Sequence, residues 1–149
     1  MRIQRRHGSA RPGIAAVEFA IVCPIFFLIF LGMVDIGRGM MVVGAVSNAA
    51  RIGARAAGVT GGSYSSTTAA VATSLSNAGL PDTTLPTVTV NGVAVTDDAS
   101  FQAAAVPGAT IAVQVSLTYG SVSWLPGGAS LFVGSSQPLS ATCSMTKEG

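Results

Sequence analysis

The side chains that could carry out chemistry in this chain of 149 residues are few and scattered. Its single histidine, His7, lies among arginines near the N-terminus, and its two cysteines, Cys23 and Cys143, form no CxxC pair. These residues cannot make a zinc site, and the sequence has no Ser–His–Asp set and no glycine-rich phosphate loop. We therefore expect a protein that is not an enzyme, with no catalytic residue, metal, cofactor or small-molecule substrate.

The two cysteines have two open interpretations. Cys23 falls in the most apolar segment and Cys143 near the C-terminus, so they cannot bond within one chain if the first lies in a bilayer. Either both are small buried apolar side chains, or Cys143 forms an intermolecular disulfide.

Glu18 is the ionisable residue whose position most suggests a function. It stands five residues after Gly13, directly before Phe19, where an apolar run begins, and an ionisable group at such an edge is costly. If the chain were cut between Gly13 and Ile14, the new α-amine would lie about one helical turn from the Glu18 carboxylate. The two charges could then pair between adjacent subunits. Alternatively, lipid headgroups solvate Glu18 without any partner.

Charge is scarce in this chain and unevenly distributed. Charged residues make up 9% of the sequence and hydrophobic residues 49%, which argues against disorder and against a nucleic-acid partner. Residues 1–13 hold four arginines and no acid, whereas residues 14–149 hold four basic residues and six acids. Positive charge ahead of the most apolar segment predicts an N-terminus that stays in the cytoplasm.

The apolar segment is long enough to cross a membrane. Residues 19–34 contain no charge, and the run from Ile14 to Val34, with Glu18 as its single acid, would reach about 31 Å as a helix. We expect a single transmembrane helix that places the C-terminal part outside the cytoplasm. A cleaved secretory signal peptide and the buried helix of a soluble protein are the alternatives.

The helical pattern continues beyond this segment to about Gly58. Small residues recur at every fourth position, and this spacing places them on one helix face where another backbone can approach closely. The stripe would pack either against the protein's own sheet or against another subunit. Asp35 and Arg38 are expected to pair at the outer membrane boundary. The stripe consists of Ala45, Ala49, Gly53 and Ala57.

The remainder predicts a short helix followed by strands. Residues 63–80 indicate a helix with a thin apolar face at Ala69, Ala72, Leu75 and Leu80. Alternation over 87–95 around Asn91-Gly92 predicts a hairpin, residues 109–122 a strand, and residues 131–148 a final strand after the loop at 126–128. The predicted fold class is α+β, pilin-like, with an antiparallel sheet of three or four strands. We divide the chain into a basic leader (1–13), a helix (14–58) and an extracytoplasmic domain (59–149).

The junction around Gly13 resembles the leader of type IV pilins and pseudopilins, which is cut after a glycine and leaves glutamate as the fifth mature residue. The chain as a whole resembles the TadE-like family of the tight-adherence (Flp/Tad) pilus system through three blocks, at 13–39, 48–58 and 139–148. The positions in the first two blocks that fit the family pattern are Glu18, Phe19, Pro24, Gly32, Asp35, Gly37, Arg38, Ala50, Arg51, Gly53, Ala54 and Arg55.

This resemblance implies a minor pilin-like subunit or assembly factor in the bacterial cytoplasmic (inner) membrane or in the pilus itself. Its partners would be membrane lipid, pilin, other Tad assembly proteins and a prepilin peptidase that removes residues 1–13. Glu18 and Phe19 would then contact neighbouring subunits. The alternative function is a generic membrane-anchored or secreted binding module with no pilus role.

Overall fold

The computed structural model describes residues 12–80, 85–123 and 134–149, and it confirms the predicted α+β class. A long helix packs against a second helix and against two strands of a four-stranded antiparallel sheet. The basic residues of the leader and the predicted loop at 126–128 lie outside the described residues. The elements in chain order are α1 (Pro12–Gly58), α2 (Tyr64–Asn77), β1 (Thr87–Val90), β2 (Val93–Val95), α3 (Asp98–Ala104), β3 (Thr110–Thr118), α4 (Tyr119–Val122) and β4 (Pro138–Thr146).

Helix α1 runs for 47 residues, continues through Pro24, and ends at Gly58 as predicted. Its last carbonyls lack intrahelical partners, and the residues that follow β4 supply donors for them. Lys147 Nζ donates to the carbonyl oxygens of Ala57 at 3.2 Å and Val59 at 2.7 Å. The backbone N–H of Glu148 donates to the carbonyl of Gly58 at 2.8 Å. The positive charge of Lys147 also complements the negative end of the helix dipole.

Helix α2 begins with a capping box in which Ser63 and Ser66 satisfy each other's backbone N–H groups. Its buried side chains are Thr67, Val71 and Leu75, at four-residue spacing. The predicted apolar face was therefore partly wrong, because Ala69 is exposed and a threonine takes a buried place. Thr67 can be buried because its hydroxyl donates to the carbonyl of Ser63 at 2.7 Å.

The sheet has the strand order β2-β1-β3-β4, and every neighbouring pair is antiparallel. The predicted hairpin is confirmed: Asn91 and Gly92 join β1 to β2, both with positive φ, as a type I′ turn requires. Alternate residues of β3 point into the core. These inward residues are Ile111, Val113, Val115 and Leu117.

Two short helices were not predicted. Helix α3 is capped by Asp97, whose side chain accepts the N–H of Ser100 at 2.7 Å, and it inserts Phe101 into the core. Helix α4 takes the place of the last four residues of the strand predicted at 109–122, so β3 ends at Thr118. Elements of one or two turns are too short for a hydrophobic period to reveal.

Candidate membrane and assembly site

Helix α1 has two halves that differ in burial, and we call residues 13–34 the arm and residues 35–58 the extension. From residue 13 to residue 30 every side chain of the arm is exposed except Cys23, which is half-buried. The most apolar part of α1 has a mean hydropathy of 2.7, and none of it is buried. Exposed apolar surface of this length fits a single-pass membrane anchor.

The predicted cleavage and assembly residues lie in the first turns of the arm. Gly13, Ile14, Glu18 and Phe19 are all exposed, and Glu18 has no ion-pair partner among the described residues. A Cβ added to Gly13 would meet no atom within 4 Å, so packing among the described residues does not require glycine there. Helical glycine costs up to about 1 kcal/mol relative to alanine, so its presence at Gly13 has no stabilising explanation in the described fold.

The small-residue stripe packs against the protein's own α2 and sheet. Ala49, Gly53 and Ala57 are buried, and Ala45 is half-buried against the core. A Cβ added to Gly53 would lie 2.6 Å from Cγ2 of Val71 and 3.1 Å from Cγ1 of Val113. Within one chain, therefore, α2 and β3 pack against the stripe. This is the first of the two interpretations that the sequence left open, packing against the protein's own sheet.

Asp35 is buried completely, on the side of α1 that faces helix α4. The hydroxyl of Tyr119, a buried residue at the start of α4, donates to Asp35 Oδ1 and lies 2.9 Å from the Asp35 carbonyl oxygen. The other carboxylate oxygen, Oδ2, is buried without a hydrogen-bond partner among the described residues. An acceptor left in this way usually costs about 1–3 kcal/mol.

The prediction that Asp35 pairs with Arg38 is wrong. Arg38 Nε donates instead to the backbone carbonyl of Val122 at 2.8 Å, across 84 positions of sequence. Spacing of three along a helix allows a pair, but a buried donor on α4 competes for Asp35, and a free carbonyl at the end of α4 competes for Arg38. Both residues thus attach α4 to α1, and whether they mark the membrane boundary stays a prediction.

The contact with Asp35 also changes the acidity of Tyr119. Burial raises the pKa of Tyr119 to about 12 from its ordinary value of 10.0, with further contributions from the hydrogen bond and the charge of Asp35. Arg38 acts in the opposite direction but more weakly. Tyr119 is therefore a neutral hydrogen-bond donor at any physiological pH.

Sequence reasoning missed Tyr119 as a partner of Asp35. One signal was present, since Tyr119 continues the alternation of inward residues from Ile111 to Leu117. Nothing in a local pattern indicates that this position meets residue 35. Among the described residues no group of three or more histidine, cysteine, aspartate or glutamate side chains could hold a metal.

In a comparison with known protein families, the model of the TadE-like protein family matches residues 13–55. This range covers the arm and most of the extension, which is less than a third of the chain. It contains the first of the three blocks that carried the resemblance and most of the second. No curated protein and no solved structure matches the chain.

Proposed function

We infer that this chain, whose TadE-like segment implies involvement in Flp/Tad pilus assembly, acts as a minor pilin-like subunit or membrane assembly factor. The arm crosses the cytoplasmic membrane with the arginines of the leader inside, and the sheet domain lies outside. The protein works by packing its helix against pilin or other assembly proteins in the membrane, without catalysing a reaction.

The difference in burial between the two halves of α1 carries this proposal. The extension has its small-residue face filled by α2 and β3, so that face is unavailable to another subunit. The arm has apolar side chains exposed on every side, including phenylalanines that stand more than half exposed. In a membrane, such a surface contacts lipid or the helices of other subunits.

Glu18 and Gly13 give the arm its proposed specificity. Cleavage after Gly13 would expose the α-amine of Ile14 near Glu18, and in the assembled state the Glu18 carboxylate would accept a neighbouring subunit's α-amine. A charge-assisted hydrogen bond contributes about 1.5–3 kcal/mol, which is roughly 10- to 100-fold in association. Gly13, which no packing contact requires, is explained if a prepilin peptidase reads it.

Replacement of Glu18 tests the register role. We expect Glu18→Ala to insert into the membrane normally but to co-purify with pilin roughly tenfold less, because the neighbouring amine loses its acceptor. Val22→Ala, one turn along the same exposed face, is the matched control and should lower co-purification much less than Glu18→Ala, because it removes two methyl groups and no charge. Normal piliation and normal co-purification of Glu18→Ala would reject the role.

N-terminal sequencing of the same membrane extracts tests the cleavage. We expect the mature chain to begin at Ile14, and Gly13→Leu to stay uncut. Gly37→Leu is the control, because a Cβ at Gly37 also meets no atom within 4 Å. An intact Met1 in cells with an active prepilin peptidase would contradict the cleavage. A mature N-terminus beyond residue 40 would instead indicate a secreted binding module.

A further inference from the structure

The apolar surface of α1 does not stop where its charge-free run stops. Between Asp35 and Arg51, four large apolar side chains of α1 remain exposed, and Met40 and Met41 are 72% and 74% exposed. Ile36, Met40 and Val43 continue the helix face of Met33 at steps of three and four residues. We call the four exposed residues Ile36, Met40, Met41 and Val43 the belt.

The two charged residues near the belt, Asp35 and Arg38, do not make its surface polar. Asp35 is 0% exposed, with its carboxylate against Tyr119, and Arg38 is half-buried with Nε bonded to Val122. The next charged residue along α1 is Arg51, which is exposed. Between Glu18 and Arg51, therefore, α1 presents no fully exposed charge, although the sequence places an acid and a base inside that interval.

The sheet domain meets the belt near the start of α4 and the start of β4, where an apolar groove of about 340 Å³ lies between them. Gly39 lets the ring of Tyr119 approach the helix, since a Cβ there would lie 3.3 Å from Cε2 of that ring. Leu139, at the start of β4, forms part of the other wall. The groove is lined by Ile36, Gly39, Met40, Val43, Tyr119 and Leu139.

We propose that lipid of the outer leaflet covers the belt and fills this groove, so that the base of the sheet domain sits in the membrane interface. The inference rests on the proposed membrane anchor and deepens it. Lipid is the occupant because the belt is continuous with the arm, with no exposed charge between them. The Asp35–Tyr119 contact is then what hides a carboxylate at membrane depth, where an exposed one would be expensive.

The dimensions agree with this placement. Residues 19–38 span about 30 Å of helix, which matches one hydrocarbon core and places Glu18 at its cytoplasmic edge. Residues 39–43 add about 7 Å and reach through the interfacial layer. The half-buried Arg38 can extend its guanidinium towards lipid phosphates from this level. Ser47 and Asn48, the first polar residues after the belt, would then face water.

Fluorescence quenching in vesicles tests the proposal in either orientation of the protein, provided that iodide is present on both sides of the membrane. The full chain, with Cys23→Ala and Cys143→Ala, carries a bimane-labelled cysteine at position 40 or 41, and at Asn48 as the matched exposed control. The purified protein is reconstituted into phosphatidylcholine–phosphatidylglycerol vesicles. We expect lipid with a nitroxide near the headgroup to quench bimane from Met40→Cys and Met41→Cys several-fold more than bimane from Asn48→Cys. Aqueous iodide should show the opposite order.

Equal iodide quenching at all three positions would overturn the proposal. So would protection of positions 40 and 41 that falls on tenfold dilution of protein in lipid, because a second copy would then cover the belt. Protection that is absent in vesicles but present in piliated cells would assign the belt to a protein partner and would also overturn it. Protection in vesicles together with normal piliation of Glu18→Ala would support the belt and reject the Glu18 register role, so the two failures are distinguishable.

Discussion

Helix α1 joins two halves without a break, the arm at residues 13–34 and the extension at residues 35–58. Both are rich in apolar and small residues, and the TadE-like match covers the arm and the extension as far as residue 55. The arm exposes almost all of its side chains, whereas the extension buries Val42, Val46 and Ala50 among its core residues. An apolar helix sequence therefore indicates that its surface is covered, but it does not indicate by what. Whether the cover is lipid, another subunit or the chain's own sheet depends on where the rest of the chain returns.

The largest expected effect is a difference in the free energy of unfolding between two small-to-large substitutions, one in each half of α1. We expect Gly53→Val to destabilise the domain by about 3 kcal/mol, because its Cβ alone would lie 2.6 Å from Cγ2 of Val71. Ala20→Val, in the exposed arm, should change the free energy of unfolding by less than about 0.5 kcal/mol. Urea unfolding in detergent micelles, followed through the β-sheet signal, gives both values. Equal midpoints for the two variants would contradict the packing of the extension.

A smaller effect is expected where the extension meets α4. Tyr119→Phe removes the only donor to the Asp35 carboxylate among the described residues, so both carboxylate oxygens become unpaired and buried. We expect a loss of about 1–3 kcal/mol in the same unfolding measurement. Tyr64→Phe, whose hydroxyl bonds to no described residue, should cost much less.

A double variant sharpens this test. If the two groups act through each other, Asp35→Ala combined with Tyr119→Phe should cost less than the sum of the two single variants. Strict additivity would show that the hydroxyl and the carboxylate contribute independently, which would contradict the coupling of α4 to the extension.

The last expected effect is a pH dependence of stability that appears only in alkaline solution. The pKa of Tyr119 is about 12 in the fold and 10.0 without it, so between these values the unfolded chain loses a proton that the folded protein keeps. The contribution of Tyr119 to stability is thus complete below about pH 10 and is lost as the pH rises towards about 12. Thermal unfolding across this range should show a decline that Tyr119→Phe reduces. An identical decline in both proteins would show that Tyr119 is not its source.

Prediction from the sequence succeeded where the pattern is local. The end of α1 at Gly58, the Asn91-Gly92 hairpin and the alternation of β3 all depend on residues within one or two turns or one strand. The Asp35–Arg38 pair failed because both residues found partners 84 positions away. The inward-facing Thr67 was missed for a similar reason, since its burial depends on the hydrogen bond from its hydroxyl to the Ser63 carbonyl and on the packing of α2 against α1.

Periodicity and turn dipeptides are properties of neighbouring residues, so they were enough to predict a long apolar helix followed by an antiparallel sheet. The sequence also predicted the TadE-like segment, which the family match confirms. Which faces of that helix are exposed depends on the packing of distant segments against it. Tyr119 removes Asp35 from the surface, and Val71 and Val113 fill the space beside Gly53. Burial depends on contacts between segments that are distant in sequence. The free energy of burying the Asp35 carboxylate, for example, depends on the hydroxyl that Tyr119 donates from 84 positions away.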